Sequence, residues 1–292
     1  MCHFTEKKIN NGRLDIAYRQ SGNPDGQTLL LLHGWLDNAA SFERLTPHLD
    51  LQRFNVIAPD LPGHGHSGHR SPAEAYHLLE YVLDCEALAR ALGLASVRVV
   101  GHSLGGVVAA MWASAISDRI SRLFLIDSLG PMTSDESKFA SQLGKSIQKI
   151  LSPIQPLKVY PSIHAAVQAR QLGFGQLTDN TARLLVERGV KECDGGVTWS
   201  SDRRLRHPSL MHLSEAQVNA MLSAIRCPVG AVFAEKGVLT IGKKFESRLR
   251  HVRHIEYCRL PGGHHLHLEE CPDQVAQRIN AFFQQGRSHC DA

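Results

Sequence analysis

Gly101-His102-Ser103-Leu104-Gly105 places a serine between two glycines, each two residues away. Before it runs a β-branched stretch with Val97, Val99 and Val100; after it runs a Gly/Ala/Val stretch without breakers. Strand, tight turn and helix are the setting in which such a serine becomes a nucleophile. The turn holds the serine backbone in a strained conformation and lifts its hydroxyl clear of the sheet. Glycine at the flanking positions removes side chains that would collide there. The following helix aims unpaired N–H groups and a partial positive charge at the same point. The chemistry on offer is nucleophilic attack on a carbonyl. Five residues rich in Gly and Ser are weak evidence alone. The surrounding elements decide.

Short apolar runs at residues 28–32, 54–58, 123–126 and 228–234 read as buried strands, and 254–259 as a further strand. Residues 13–19 alternate, as a half-exposed antiparallel strand should. A helix is expected from about residue 39. Another spans 74–92, with Leu78, Leu79, Val82, Leu83, Leu88 and Leu92 on or near one face and Gly93 as its cap. Helices are also expected around 241–249 and from Pro272, the latter with Val275, Ile279, Phe282 and Phe283 as its buried stripe. Strands alternating with helices predict an α/β fold with a mostly parallel sheet, whose ligands bind beyond the strands' carboxyl ends. His33-Gly34, Ser103 and Asp127 all fall at such ends. From residue 130 to about 226 no buried strand is evident and prolines recur, which reads as a helical insertion.

The 292 residues carry 32 basic and 28 acidic side chains, a net charge of +4 too small and dispersed to predict nucleic-acid or membrane partners. No apolar run approaches the roughly 18 residues of a membrane span, and the first fifteen residues lack the apolar core of a secretory signal. Seven scattered cysteines without a C-x-x-C predict neither disulfides nor a zinc site, and a reduced, cytoplasmic setting. The clusters His64/His66/His69 and His264/His265/His267 lack thiol or carboxylate partners at ligand spacing, so neither metal nor cofactor is expected. The expected partner is a small-molecule substrate, bound by a monomer or homodimer.

Four segments follow in order: His33-Gly34-Trp35 after a strand, Pro59-Asp60-Leu61-Pro62-Gly63-His64-Gly65-His66-Ser67, the serine turn, and Gly262-Gly263-His264-His265-Leu266-His267-Leu268-Glu269. Together they resemble the α/β-hydrolase fold, a mostly parallel central sheet with helices on both faces and a helical cap. The core would comprise residues 1–130 and 226–292, and the cap 131–225. Gly195-Gly196-Val197-Thr198-Trp199-Ser200-Ser201-Asp202-Arg203-Arg204-Leu205 is similar to the cap of the serine-hydrolase-like branch.

The resemblance implies Ser103 as nucleophile and His264 as base, with His265 and His267 as competitors. It implies the backbone N–H groups of Trp35 and Leu104 as oxyanion hole. The Trp35 side chain would be pocket wall or core packing, His33 a loop brace, and Asp60 part of a structural turn. The acid departs from the common pattern, because the usual Asp position is Gly237 in Ala234-Glu235-Lys236-Gly237. Asp127 is the expected substitute, since haloalkane-dehalogenase-like relatives carry their acid at that strand end; Glu235 is the alternative. The implied activity is hydrolysis of a carboxylic ester or related acyl bond through a covalent acyl-enzyme. C–C hydrolysis, thioester or lactone cleavage would use the same triad. A non-catalytic member that binds a small molecule is the reading from another class.

Overall fold

Leu29-Leu30-Leu31-Leu32 has no polar alternate, so a strand there must be covered on both faces. The computed structural model describes residues 4–153, 155–173, 175–238 and 242–284. In it the chain begins with β1 (Thr5–Asn10), β2 (Asp15–Gly22), β3 (Gln27–Leu32) and β4 (Phe54–Pro59). Then come α1 (Leu78–Ala91), β5 (Val97–His102), α2 (Leu104–Ala115) and β6 (Ile120–Ile126). After an insert it resumes with β9 (Val229–Lys236), α7 (Lys243–His251), β10 (Ile255–Gly263) and α8 (Pro272–Gln284). The eight strands form one sheet in the order β1-β2-β4-β3-β5-β6-β9-β10. β2 is antiparallel to β1 and β4, and the other pairings are parallel.

The two-residue period of the strands divides the apolar side chains between two cores. Leu30, Leu32, Val99, Leu123 and Leu125 face one, beneath α1 and α2, together with the fully buried Trp112. Leu29, Leu31, Val100, Phe124 and Ile126 face the other, beneath α8. The expected stripe of α8 is buried there through Val275, Ile279, Phe282 and Phe283. Burying such a side chain contributes roughly 1.5–3 kcal/mol.

Several local expectations need correction. β1 carries three charged residues in Thr5–Asn10 and is mostly exposed, so it gives no hydrophobic signal. Residues 39–42 and 46–48 form two short 3₁₀ turns where a helix was expected, with Pro47 inside the second. Leu79 and Leu83 of α1 are exposed. The buried face is Tyr81, Cys85, Leu88 and Ala89, flanked by two buried acids with charged partners. Asp84 meets Arg13 and Arg70, and Glu86 meets Arg119 and the Trp112 ring N–H. A pattern of apolar residues alone cannot anticipate such pairs. Ile241, placed in a helix from the sequence, lies outside the described residues.

The insert between β6 and β9 carries α3 (Phe139–Leu151), α4 (Ile163–Gln171), α5 (Asp179–Gly189) and α6 (Glu215–Ser223). It also holds a small antiparallel hairpin, β7 (Val190–Cys193) and β8 (Gly196–Trp199), too short and polar to register as buried strand. Ala166, Val167, Ala182, Leu185 and Val186 form its own small core, closed below by Ala40 and Leu268. Among the described residues no helix is long and apolar enough to cross a membrane.

Candidate active site

β5 ends at His102, and Ser103 turns the chain into α2 with φ 51° and ψ −115°. That backbone conformation costs a non-glycine residue roughly 1–3 kcal/mol, so the surroundings must impose it. They do so through three bonds. Ser103 N–H donates to Ile126 O (3.2 Å), Ser103 O accepts from Val107 N–H (3.0 Å), and the Ser128 hydroxyl donates to Ser103 O (2.9 Å). The flanking glycines are sterically required. A Cβ on Gly105 would lie 2.1 Å from Leu32 O, and one on Gly101 would lie 2.5 Å from Gly106 Cα. The Ser103 hydroxyl makes no hydrogen bond to a described residue, and neither do the backbone N–H groups of Trp35 and Leu104. Three groups fit for chemistry are thus left without structural duties.

Asp127 follows β6 with φ 43°. Its N–H donates to Val232 O (2.8 Å), and its buried carboxylate accepts from Ala234 N–H (3.2 Å) and Val238 N–H (3.1 Å). His264 follows β10 and presents Nδ1 to Asp127 Oδ2 at 2.6 Å. A carboxylate only accepts, so Nδ1 carries the proton and Nε2 of the neutral ring carries a lone pair. The His264 carbonyl accepts from His102 Nε2 (2.9 Å), which ties this loop to the residue before Ser103. Glu235, the alternative acid, is exposed, and its side chain makes no hydrogen bond or ion pair with a described residue. The departure at residue 237 has a spatial reason. A Cβ on Gly237 would sit 2.4 Å from both carboxylate oxygens of Asp127, so this site has room for one acid.

His33 donates from Nδ1 to Gly34 O (2.7 Å) and accepts Leu61 N–H at Nε2 (2.9 Å), bracing two loops. Asp60 accepts from the N–H groups of Ala39 (2.7 Å) and His66 (2.8 Å) and pairs with Arg188 of the insert (2.9 Å). The Trp35 side chain is 48% exposed, so it is not core packing; its ring N–H donates to Leu205 O (3.0 Å).

The competing histidines are part of a buried cluster. His102 lies 5.0 Å from His265 and 4.3 Å from His267, ring centre to ring centre. His265 Nε2 is 3.0 Å from Asp37 Oδ2, and His267 Nε2 is 3.2 Å from the Ser41 hydroxyl. Asp37 is the carboxylate that sequence spacing missed, 228 residues from its partner along the chain. Asp37, His102 and His265 bring ligand atoms within 4.8 Å of one another. They do not suit a divalent cation, because Arg170 already pairs with Asp37 (2.9 Å) and a metal would leave buried positive charge uncompensated. A cavity of about 270 Å³ lined by Leu260, Gln274, Gln277, Arg278 and Ala281 lies against α8 and touches none of these groups.

Burial, aided by neighbouring histidines, lowers both His64 and His267 to about 3. Folded-state values below the unfolded 6.5 mean that the unfolded chain takes up these protons first. Their stabilisation is therefore complete above about pH 6.5 and lost as pH falls towards 3, by about 1.4 kcal/mol per pH unit for each ring. Urea midpoints at pH 7.5 and 5 should show this loss, and His267→Gln should flatten the slope by one histidine's share. An unchanged slope would exclude His267 as a source.

A family model described as alpha/beta hydrolase fold matches residues 27–155. A probable serine hydrolase of Drosophila melanogaster is 30% identical over 284 residues, spanning 90% of this chain and 83% of that protein. Serine hydrolase-like protein 2 of Homo sapiens is 29% identical, spanning 92% and 90%. A crystal structure of a hypothetical protein from Pseudomonas aeruginosa PAO1 superposes with a TM-score of 0.91 at 38% identity, over 96% of this chain and 99% of that one.

Proposed function

From the premise that the chain belongs to the α/β-hydrolase superfamily, in its serine-hydrolase-like branch, we propose that this hydrolase cleaves a carboxylic ester or related acyl bond through Ser103, His264 and Asp127. The observation that carries the reading is the 2.6 Å bond from His264 Nδ1 to Asp127 Oδ2, which places the proton on Nδ1 and makes Nε2 the basic nitrogen of the neutral ring. Ser103 Oγ attacks the carbonyl carbon as His264 Nε2 takes its proton. The oxyanion is held by the Trp35 and Leu104 N–H groups, each such donor typically worth about 3 kcal/mol. His264 returns the proton to the leaving alkoxide as the acyl-enzyme forms. Water, activated by the same nitrogen, then releases the acid and frees Ser103. Ser103 and His264 share no hydrogen bond here, a looseness common before substrate binds. No cofactor enters any step, and residues 131–225 act as the cap over the site.

A fluorophosphonate probe tests this directly, since phosphonylation needs an activated serine. Wild-type protein should label at Ser103, located by peptide mass spectrometry, and a panel of esters of graded acyl length should identify a substrate. Absence of labelling would turn the reading towards a non-catalytic binder.

A further inference from the structure

The oxyanion donor on Trp35 sits in a tight turn whose shape is not self-supporting. Gly34 to Asp37 is closed by a single main-chain bond, Asp37 N–H to Gly34 O, at the long end of the usual range (3.2 Å). Its third residue, Leu36, has φ 61°, a conformation disfavoured for a residue with a side chain. Something outside the turn must hold it, and three holds come from the insert. Arg170 of α4 donates to Asp37 Oδ1 (2.9 Å). The Leu205 carbonyl accepts the Trp35 ring N–H (3.0 Å), and the Leu185 carbonyl of α5 accepts Asn38 Nδ2 (2.8 Å).

The ion pair differs in kind from the other two. The Asp37 side chain is 2% exposed and that of Arg170 14%, so the carboxylate depends on protein partners alone. One oxygen is held by Arg170, and the other by His265, the neighbour of His264. A buried carboxylate that loses its cation must move towards water or neutralise. Either change acts on the last residue of the turn that aims the Trp35 N–H.

We infer that Arg170 is a positioning residue for the reaction: from the insert, through Asp37, it sets the turn that presents the Trp35 N–H to the oxyanion. The inference rests on the proposed hydrolase mechanism. An insert lifted off the core would take these holds with it, so a seated insert and a formed oxyanion hole coincide. Substrates that hold the insert down would then be cleaved faster than their binding alone explains.

The test follows fluorophosphonate labelling as a rate. Ser103 Oγ forms a bond to phosphorus, the P–F bond breaks, fluoride leaves with the bonding pair, and His264 takes the serine proton. The phosphoryl oxygen gains charge in the hole during the step, so the maximal labelling rate reports the donors, while half-saturation reports binding. Arg170→Met, which keeps the aliphatic stem, should lower the maximal rate about 10- to 100-fold, on the scale of a misplaced catalytic group. Half-saturation should stay within about twofold. Arg170→Lys, which restores the charge, should recover most of the rate and serves if the Met variant fails to fold. Ser200→Ala deletes a different insert-to-core bond, the Ser200 hydroxyl to Gly65 O (2.9 Å), and should leave the rate unchanged. Equal maximal rates in Arg170→Met and wild type would overturn the inference. So would a loss confined to half-saturation, an equal loss in Ser200→Ala, or no recovery with lysine. A wild type that never labels would instead sink the hydrolase mechanism itself.

Discussion

Ser103→Ala should lower ester turnover by about 10⁶-fold, the loss expected when nucleophile, base and acid work as one unit. The fold should barely notice. The strained backbone at residue 103 is held by main-chain bonds to Ile126 and Val107 and by the Ser128 hydroxyl, none of which uses the Ser103 side chain. Alanine keeps the Cβ, and the deleted hydroxyl bonds to no described residue. Stability by urea denaturation should therefore change by no more than about 0.5 kcal/mol. A residual rate above the uncatalysed reaction should persist, because the free N–H groups of Trp35 and Leu104 remain. Two measurements decide the matter: steady-state turnover of the best ester, and probe labelling followed by peptide mapping. A drop of less than tenfold, or covalent label on another serine of the variant, would remove Ser103 from its role.

What could be read from the sequence follows from which forces leave a local trace. Buried parallel strands must be apolar on both faces, so 28–32, 54–58 and 123–126 announced themselves, and the elbow glycines marked a turn that admits no side chain. β1 left no trace because it is an exposed edge strand held mainly by main-chain pairing to β2. The α1 face is not legible in the apolar pattern because Asp84 and Glu86 are buried, and only their distant arginine partners make that tolerable. Asp37 is hidden for the same reason. Nothing around residue 37 advertises that His265 and Arg170 converge on it. Long-range charge pairing is invisible to local pattern, and in this molecule it joins the insert to the core at Asp37 and again where Arg188 meets Asp60.

Asp127→Asn should lower turnover by about 10⁴-fold, and its cause is the proton on His264. With a carboxylate at Oδ2, Nδ1 must donate, so Nε2 is the nitrogen that can accept the serine proton. An amide can turn its NH₂ towards Nδ1, which fixes the opposite tautomer and leaves Nε2 protonated and useless as a base. Turning the amide oxygen towards His264 instead sets the NH₂ against Ala234 N–H, which now donates to Oδ1. The first orientation sets the NH₂ against Val238 N–H, which donates to Oδ2, and the second against Ala234 N–H, so a stability loss of about 1–3 kcal/mol accompanies the lost rate. Activity must therefore be read well below the variant's unfolding temperature. Glu235→Gln, at an exposed position without partners among the described residues, should stay within about twofold of wild type. Gly237→Ala should behave like a weaker Asp127→Asn, because its methyl falls 2.4 Å from the carboxylate oxygens and must push them off His264. Loss in Glu235→Gln with retention in Asp127→Asn would move the acid to the β9 end. Near-wild-type rates in both would leave a Ser103–His264 dyad, and an inert Gly237→Ala would mean that the carboxylate can shift without consequence.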